Sequence, residues 1–457
     1  PNQLYLDTKA QNFIKLLLCN GTTTSVSFCS VHKMSVNALF EEASRHNMCM
    51  IAGKVMMDRN APKNLIDEPN SSYEDTKELI LYLEDGCKPI QACKIGTEHE
   101  KFGYDKTNLK PLPYSGVCSI ESILEGLRQT FGWSPILEED KMIGLSKAGA
   151  NISLEPGGQL ELSGALLDTV HQTCLEVANH LAEVKTIADR IGAGFIGLGA
   201  APIWKDTDMP IMPKGRYKLM APYMEKVGSH GTKMMFRTCT VQVNLDYCSE
   251  ADMIRKLRVG LALQPIATAF FSASPFFEGE KTGYNSYRSR IWQKTDKTRT
   301  GMLPFVFEKG FGFEAWVDYA LDVPMYFVYR NGKYLNALGQ SFRDFLKGEL
   351  KALPNEKPII SDWEDHLTTI FPEVRLKKFI EMRGADAGPW AKICALPAFW
   401  VGIIYNQISL EGAWDLCKDW TYADRHQLYH DVAKLGLEAS IRNRPVKDIA
   451  CDLLNLS

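Results

Sequence analysis

The stretch TCTVQVNLD at residues 238–246 alternates polar and apolar side chains more regularly than any other part of the chain. Side chains two apart in a β-strand share a face, so this spacing predicts a strand with one polar and one apolar row. The polar row comprises Thr238, Thr240, Gln242, Asn244 and Asp246. Such strands are typical of antiparallel sheets that cover a core with one face. The chain is therefore predicted to contain a sheet whose other face meets solvent or a ligand.

Three more segments place oxygen-bearing side chains on one face of a predicted strand. They are IGTEHEKF (95–102) with Glu98 and Glu100, SLEPGGQLELS (153–163) with Gln159 and Glu161, and KFIEMR (378–383) with Glu381 and Arg383. Glu155 has the same parity as Glu161, although the Pro-Gly-Gly bend between them can turn it away.

These polar rows allow two interpretations. Each row can simply face solvent, as in most antiparallel sheets. The rows hold mostly carboxylates and amides with very few lysines, however, whereas solvated faces usually mix both signs of charge. Clustered carboxylates repel one another unless a cation neutralises them, and Mg²⁺ is usually held by a few carboxylates together with substrate phosphates. The pattern favours an oxygen-lined sheet face that binds a magnesium nucleotide.

An anionic nucleotide also needs positive charge, which several arginines can supply. Arg288 and Arg290 lie two apart in a basic segment, where they can clamp phosphate or carboxylate or simply face solvent. Arg237 and Arg383 stand at the ends of oxygen-bearing strands and are candidates of the same kind. The KGRY sequence at 214–217 is a weaker candidate.

Composition excludes several classes of protein. With 457 residues, a net charge of −3, 45% hydrophobic and 23% charged residues, the chain is neither disordered nor collagen-like. The near-neutral charge gives no general attraction for nucleic acid. The longest apolar run, 261–277, is interrupted by Gln264 and Pro265, so we expect no membrane span. Twelve cysteines without a CxxC pair predict a reducing compartment, with the cytoplasm as the default.

The first seventy residues follow a different pattern. The predicted order, which indicates a piece of a parallel α/β fold, is helix, strand, helix and strand at 9–19, 22–28, 35–46 and 48–57. The sequences NFIKLLLCNGTTTSVSF, HKMSVNALFEEASRHNM and MIAGKVMMDRNAP resemble guanine deaminase, a zinc-dependent enzyme of the TIM-barrel type. This stretch holds His32 and His46 but no HxH pair, and it is far shorter than a barrel of roughly 250 residues. We expect residues 1–70 to be a non-catalytic deaminase-like fragment, with a linker at 62–72.

The rest of the chain, from about residue 76 onward, carries long ordered motifs. They include KIGTEHEKFGYD (94–105), SLEPGGQLELSGALLDTVHQTCLEV (153–177), RTCTVQVNLDYCSEADMIRKLRVGLALQPIATA (237–269) and LTTIFPEVRLKKFIEMRGADAGPW (367–390). These motifs resemble glutamate–cysteine ligase of the plant and proteobacterial type. The resemblance implies that residues 71–457 form a ligase catalytic domain. It also implies an α+β fold in which a glutamine-synthetase-like antiparallel sheet curves into a funnel with helices outside.

The same resemblance implies an activity and a set of site residues. The activity is ATP-dependent joining of the γ-carboxylate of L-glutamate to L-cysteine through a γ-glutamyl phosphate, the first step of glutathione synthesis. The cofactor is Mg²⁺, and ATP is a substrate. The implied residues are metal ligands Glu98, Glu100, Glu155, Glu161 and Glu381, nucleotide-binding Thr238, Gln242, Asn244, Arg288 and Arg290, and catalytic Arg237 and Arg383.

Regulation and location are also implied by the family. Cys174 and Cys394 match a pair that forms a regulatory disulfide in plant enzymes, so oxidation is expected to raise activity. A second pair of some plant members is replaced by Ala337 and Ala352. No transit peptide is visible and the family's last helices are missing, so we expect a cytoplasmic, C-terminally truncated ligase, with the plastid as the alternative.

The expected partners are glutamate, cysteine and ATP, without nucleic acid or membrane. A homodimer is possible, and the oligomeric state is left open. The alternative functions are an inactive fusion product and a purine deaminase.

Overall fold

The computed structural model describes residues 3–20, 24–28, 33–46, 48–53 and 71–457. The chain divides into two compact units, Pro1–Lys77 and Glu78–Ser457.

The first unit has the predicted order of helix, strand, helix and strand. Its elements are α1 (Gln3–Cys19), β1 (Thr24–Phe28), α2 (Lys33–Arg45) and β2 (Cys49–Gly53). The two strands pair in parallel, as expected of an α/β piece, and a small core contains Ile14, Leu39, Ala43 and Met48. Residues 54–70, which include most of the predicted linker, lie outside the described residues.

The remaining chain contains both helices and strands. Helices α3–α16 span Ser71–Glu84, Ile120–Phe131, Val170–Ile191, Gly215–Met224, Gly231–Arg237, Glu250–Phe271, Tyr287–Trp292, Phe313–Asp322, Phe342–Leu346, Ile360–Thr368, Trp390–Ile404, Gln407–Cys417, Tyr422–Leu435 and Val446–Leu456. Strands β3–β19 span Ile95–Asp105, Ser134–Glu138, Lys141–Lys147, Ala150–Leu154, Leu160–Ser163, Ala193–Ile196, Thr240–Leu245, Phe276–Phe277, Glu280–Lys281, Thr300–Gly301, Phe327–Arg330, Lys333–Asn336, Phe371–Pro372, Val374–Leu376, Ile380–Asp386, Ser440–Ile441 and Arg444–Pro445.

A large antiparallel sheet forms the centre of the second unit. Within the described residues its strand order is β16-β17-β9-β3-β7-β6-β5-β4, and the end of β3 also pairs with β8. The apolar row of β9, which contains Val241, Val243 and Leu245, belongs to the main core together with buried residues of α8 and α13. The coarse prediction of a mixed fold with an antiparallel sheet and surrounding helices is confirmed.

The strand register aligns the polar rows that the sequence predicts. Glu98 lies opposite Gln242 on β9, and Glu100 lies opposite Glu161 on β7. Asn244 of β9 in turn lies opposite Glu381 of β17. Directly opposed residues share a sheet face, so four strands place their oxygen-bearing side chains on the same side.

Segment 153–163 is not one strand, as the sequence suggested, but a hairpin. Strand β6 ends at Leu154 and β7 begins at Leu160, and the amide of Glu155 donates to the carbonyl of Gln159 at 2.9 Å. Gly158 turns the chain with a φ of 83°, a left-handed conformation that favours glycine.

Helix α5 begins at Val170 and is capped by Thr169. The amide of Gln172 donates to Thr169 Oγ1 at 3.2 Å, and the Thr169 amide donates to Gln172 Oε1 at 3.0 Å. This reciprocal pair is a capping box. Cys174 of α5 forms a disulfide with Cys394 of α13, with the two Cα atoms 5.3 Å apart.

Among the described helices, none is individually long and apolar enough to cross a membrane. Only α13 and α14 taken together reach the required length and composition, and they are bent by 91° relative to each other.

Candidate active site

A cavity opens on the polar face of the sheet. Its charged and polar lining consists of Glu100, Glu155, Gln159, Arg216, Tyr217, Thr238, Thr240, Gln242, Arg288, Thr368, Thr369 and Arg383. Its apolar lining consists of Pro156, Met220, Met234, Met235, Trp292, Phe327 and Phe371. The cavity therefore combines carboxylates, guanidinium groups and an apolar wall.

Each carboxylate of the β3–β7 pair has one fixed donor. Asn244 Nδ2 donates to Glu98 Oε1 at 2.9 Å, and the amide of Thr240 donates to Glu100 Oε2 at 2.9 Å. The Ser163 hydroxyl donates to Glu161 Oε1 at 2.6 Å. These bonds orient the carboxylates without neutralising their charge.

Burial and mutual repulsion shift the carboxylates toward their neutral form. Burial, followed by repulsion from Glu381 and Glu161, raises the pKa of Glu98 to about 7. Burial together with Glu155 and Glu161 holds the pKa of Glu100 well above its usual range. Burial and Glu155 likewise raise the pKa of Glu161. A cation placed between these groups would relieve the repulsion.

Glu381 differs, because protein cations already surround it. Arg375 Nη2 donates to both of its oxygens at 2.8 Å, Arg383 donates to Oε1, and Lys377 Nζ lies 3.5 Å from Oε2. Although burial opposes ionisation, Arg375, Arg383 and Lys377 hold the pKa of Glu381 well below its usual range. Its carboxylate therefore neutralises arginines in this structure.

The arginines of the cavity keep donors available. Arg383 Nη1 donates to Gln242 Oε1 at 2.8 Å, and Arg288 Nη2 donates to the carbonyl of Arg383 at 3.0 Å. The Nε atoms of Arg288 and Arg216 are buried and lack a hydrogen-bond partner among the described residues. Arg216 lies in the KGRY segment, which was the weaker candidate in the sequence.

A buried carboxylate, Asp386, holds the segment that carries Arg288. The hydroxyl of Ser286, the N-cap of α9, donates to Asp386 Oδ1 at 2.7 Å, and that of Ser274 donates to Oδ2 at 2.6 Å. The Arg288 amide donates to Ser274 Oγ at 3.1 Å. Asp386 was not predicted from the sequence, because it follows the bulged part of β17 and lies outside the alternating pattern.

Six of the predicted site residues are not among the described lining residues of the cavity: Glu98, Glu161, Glu381, Asn244, Arg237 and Arg290. Arg237 ends helix α7, and its guanidinium pairs with Asp206 at 2.6 Å and Glu278 at 2.7 Å. Arg290 lies on helix α9, 5.8 Å from the Tyr284 ring. Residues two apart share a face in a strand but not in a helix, so Arg290 does not line the cavity that Arg288 lines. Thr238 does line the cavity, although its hydroxyl donates to the carbonyl of Met234 at 2.7 Å.

No three acidic, histidine or cysteine side chains in the described part of the chain already converge as a preformed metal site. The carboxylates on the polar sheet face are nevertheless hard oxygen donors of the kind that Mg²⁺ prefers.

The sequence model of glutamate–cysteine ligase family 2 matches residues 94–456. The chain belongs to this family. Glutamate–cysteine ligase B, chloroplastic, of Oryza sativa subsp. japonica is 58% identical over 383 residues, which cover 84% of this chain and 77% of the rice protein. Glutamate–cysteine ligase, chloroplastic, of Medicago truncatula is 51% identical over 436 residues, 93% of this chain and 85% of its own.

The prediction of a cytoplasmic location for this ligase is wrong. Both relatives are named chloroplastic, which points to the plastid. A cysteine pattern indicates reducing conditions and does not identify one compartment.

The resemblance to guanine deaminase is limited to a small fragment. The solved E. coli guanine deaminase is 57% identical over 18% of this chain and 19% of its own, with a TM-score of 0.16. A score this low carries no conclusion about the fold of the first unit.

Proposed function

We propose that this chain joins the γ-carboxylate of L-glutamate to L-cysteine and cleaves ATP to ADP and phosphate, the first step of glutathione synthesis. Membership in the ligase family supplies the reaction class. The observation that carries the proposal is the sheet face that sets Glu98, Glu100 and Glu161 on the same side as Arg383, with Arg288 hydrogen-bonded beside it.

The chemistry requires charge neutralisation and alignment more than a strong base. A carboxylate is a poor acylating agent, so transfer of a phosphoryl group to glutamate first makes a γ-glutamyl phosphate. That transfer depends chiefly on positioning and electrostatic stabilisation. The cysteine amine then attacks the acyl carbon and phosphate leaves.

The guanidinium groups of Arg216, Arg288 and Arg383 are the proposed contacts for phosphate and substrate carboxylate. Two of them present buried Nε donors that lack partners among the described residues. Charge-assisted bonds from such donors are roughly twice as strong as neutral ones. The apolar wall, which includes Trp292 and Phe371, suits the base of the nucleotide.

Glu98, Glu100, Glu155 and Glu161 are the proposed ligands of Mg²⁺. The raised pKa values of Glu98, Glu100 and Glu161 support this assignment, because they arise from burial and, after it, from repulsion between carboxylates that a divalent cation would relieve. When bound, Mg²⁺ would neutralise phosphate charge. We leave Glu381 out, because Arg375 and Arg383 occupy its oxygens. Gln242 and Asn244 are proposed to orient Arg383 and Glu98.

The finer description of the fold is also a proposal. We infer that the antiparallel sheet is the funnel of the glutamine-synthetase type and that 71–457 form the catalytic domain. Residues 1–70 are proposed to be a non-catalytic fragment of a deaminase barrel, and a homodimer remains a prediction from the family.

One assay tests the function. The purified chain is incubated with ATP and Mg²⁺, and ADP release is measured with glutamate, with cysteine and with both, while guanine consumption is followed in parallel. We expect rapid ADP release only with both amino acids, inhibition by a sulfoximine analogue of the phosphorylated intermediate, and no loss of guanine. ADP release independent of cysteine and glutamate, or guanine loss, would contradict the proposal.

A further inference from the structure

Two of the free cysteines meet at one end of the β3–β9 strand pair. The Sγ atoms of Cys93 and Cys248 lie 3.9 Å apart, and both residues are half-buried. The register that pairs Ile95 with Leu245 brings the two segments out of the sheet side by side. The contact therefore follows from the strand pairing.

The backbone around both thiols is fixed. The Lys94 amide donates to Asp246 Oδ2 at 2.7 Å. The Tyr405 hydroxyl donates to the carbonyl of Lys94 and accepts from the Asp246 amide, the latter at 2.7 Å. A disulfide needs sulfurs about 2 Å apart, so bonding requires a closer approach of the two sulfurs while these hydrogen bonds remain.

A cleft gives small molecules access to Cys93. Its lining also includes Ile95, Asp168, Thr169 and Tyr405. The cleft lies outside the set of residues that line the proposed active-site cavity. Its polar and apolar lining can admit a low-molecular-weight disulfide.

We propose that Cys93 and Cys248 are a second oxidation site of this chain, distinct from the Cys174–Cys394 bridge, and that they form a reversible disulfide. One thiolate attacks a low-molecular-weight disulfide and expels one of its halves as a thiolate. The second protein thiolate then attacks the mixed disulfide and expels the other half. The two protein sulfurs lose one electron each, and the small disulfide is reduced to two thiols.

The bond would link the segment just before β3, which carries Glu98 and Glu100, to the segment just after β9, which carries Gln242. Burial and the neighbouring Cys248 raise the pKa of Cys93 to about 12. The reaction is therefore expected to speed up with rising pH, since the thiolate is the reactive form.

Peptide mapping of the full chain tests the proposal. The protein is incubated with 2-hydroxyethyl disulfide, an acyclic disulfide, at mildly alkaline pH, remaining thiols are alkylated, and the chain is digested without reduction. We expect a peptide containing Cys93 joined to one containing Cys248, two hydrogens lighter than the free pair and separated again by reductant. Alkylation of both cysteines, or mixed disulfides without the cross-link, would overturn the proposal.

Matched variants identify the partner. Cys87 pairs through its backbone with Tyr247, next to Cys248, and is a competing thiol. Cys87→Ser is expected to keep the cross-link, whereas Cys93→Ser should abolish it. A cross-link between Cys87 and Cys248 in the unmodified chain would contradict the assignment. The unmodified chain decides the question, so the result does not depend on the folding of any variant.

Discussion

Glu98 and Glu381 are carboxylates on the same sheet face, yet their surroundings shift their pKa values in opposite directions. Glu98 has an amide donor and two carboxylate neighbours, whereas Glu381 is enclosed by Arg375, Arg383 and Lys377. A row of oxygen atoms in a sequence cannot distinguish these cases, because the neutralising arginine comes from an adjacent strand.

Glu98 is predicted to make folding stability depend on pH and, through the proposed metal site, on Mg²⁺. Its pKa rises from 4.5 to about 7, so its contribution is fully present below pH 4.5 and is lost as pH rises to about 7. In metal-free protein, Glu98→Gln should flatten this loss of thermal stability. The Mg²⁺-induced rise in melting temperature should be larger at about pH 8 than at about pH 5.5, and smaller in Glu98→Gln.

Scanning calorimetry with and without Mg²⁺ measures both effects. Glu349→Gln, at an exposed carboxylate, is the matched control and should behave like the unmodified chain. An equal Mg²⁺ effect in Glu98→Gln and the unmodified chain would remove Glu98 from the proposed metal site.

Glu381→Gln should act through stability. The substitution leaves the buried Arg375 without its charged partner, and breaking a buried ion pair in this way costs about 3–5 kcal/mol. Urea denaturation should show a loss of unfolding free energy of that order. A change below about 1 kcal/mol would show that the carboxylate is not needed to hold these cations.

At the scale of elements, the alternation of polar and apolar residues predicted where strands lie better than where they begin and end. Strands β3, β9 and β17 lie where the alternating segments predict them. The hairpin between β6 and β7 was missed because the polar residues before and after the turn are an even number of positions apart, as they would be in one continuous strand. Arg237 was expected at the end of a strand but ends helix α7, because alternation does not mark the boundary between this helix and the strand.

The short helix α9 is expected to depend on Asp386. Asp386→Asn weakens the bonds to Ser274 and Ser286 and thereby loosens the placement of Arg288. Hydrogen bonds to a charged group contribute about 1.5–3 kcal/mol, so the KM for ATP should rise about tenfold or more. Steady-state kinetics measure this, with Asp415→Asn on the surface of α14 as the control. An unchanged KM in Asp386→Asn would contradict the role.

The bridge between α5 and α13 should stabilise the fold. It joins residues 220 positions apart, and removing a bridge of this kind typically costs about 2–4 kcal/mol. Reductant should lower the melting temperature and the activity of the unmodified chain, and Cys174→Ser should lose most of both responses. Equal activity with and without reductant in the unmodified chain would contradict the regulatory hypothesis.

At the scale of the whole molecule, the small net charge hides a strong local arrangement. Carboxylates gather on one sheet face and arginines from several segments reach the same cavity. Long motifs were sufficient to predict the family and the antiparallel sheet. They could not predict which arginines enter the cavity, because that depends on helix boundaries and long-range ion pairs. The compartment was predicted wrongly, since no folding principle encodes it.

Measurement of γ-glutamylcysteine and ADP in the same reaction tests the central claim most directly. The unmodified chain, supplied with glutamate, cysteine, ATP and Mg²⁺, should form the γ-linked dipeptide and ADP in equal amounts. Glu161→Gln, which keeps the shape of the side chain but removes a proposed metal ligand, should form neither at a measurable rate. ADP without dipeptide in the unmodified chain, or a near-normal rate in Glu161→Gln, would contradict the account.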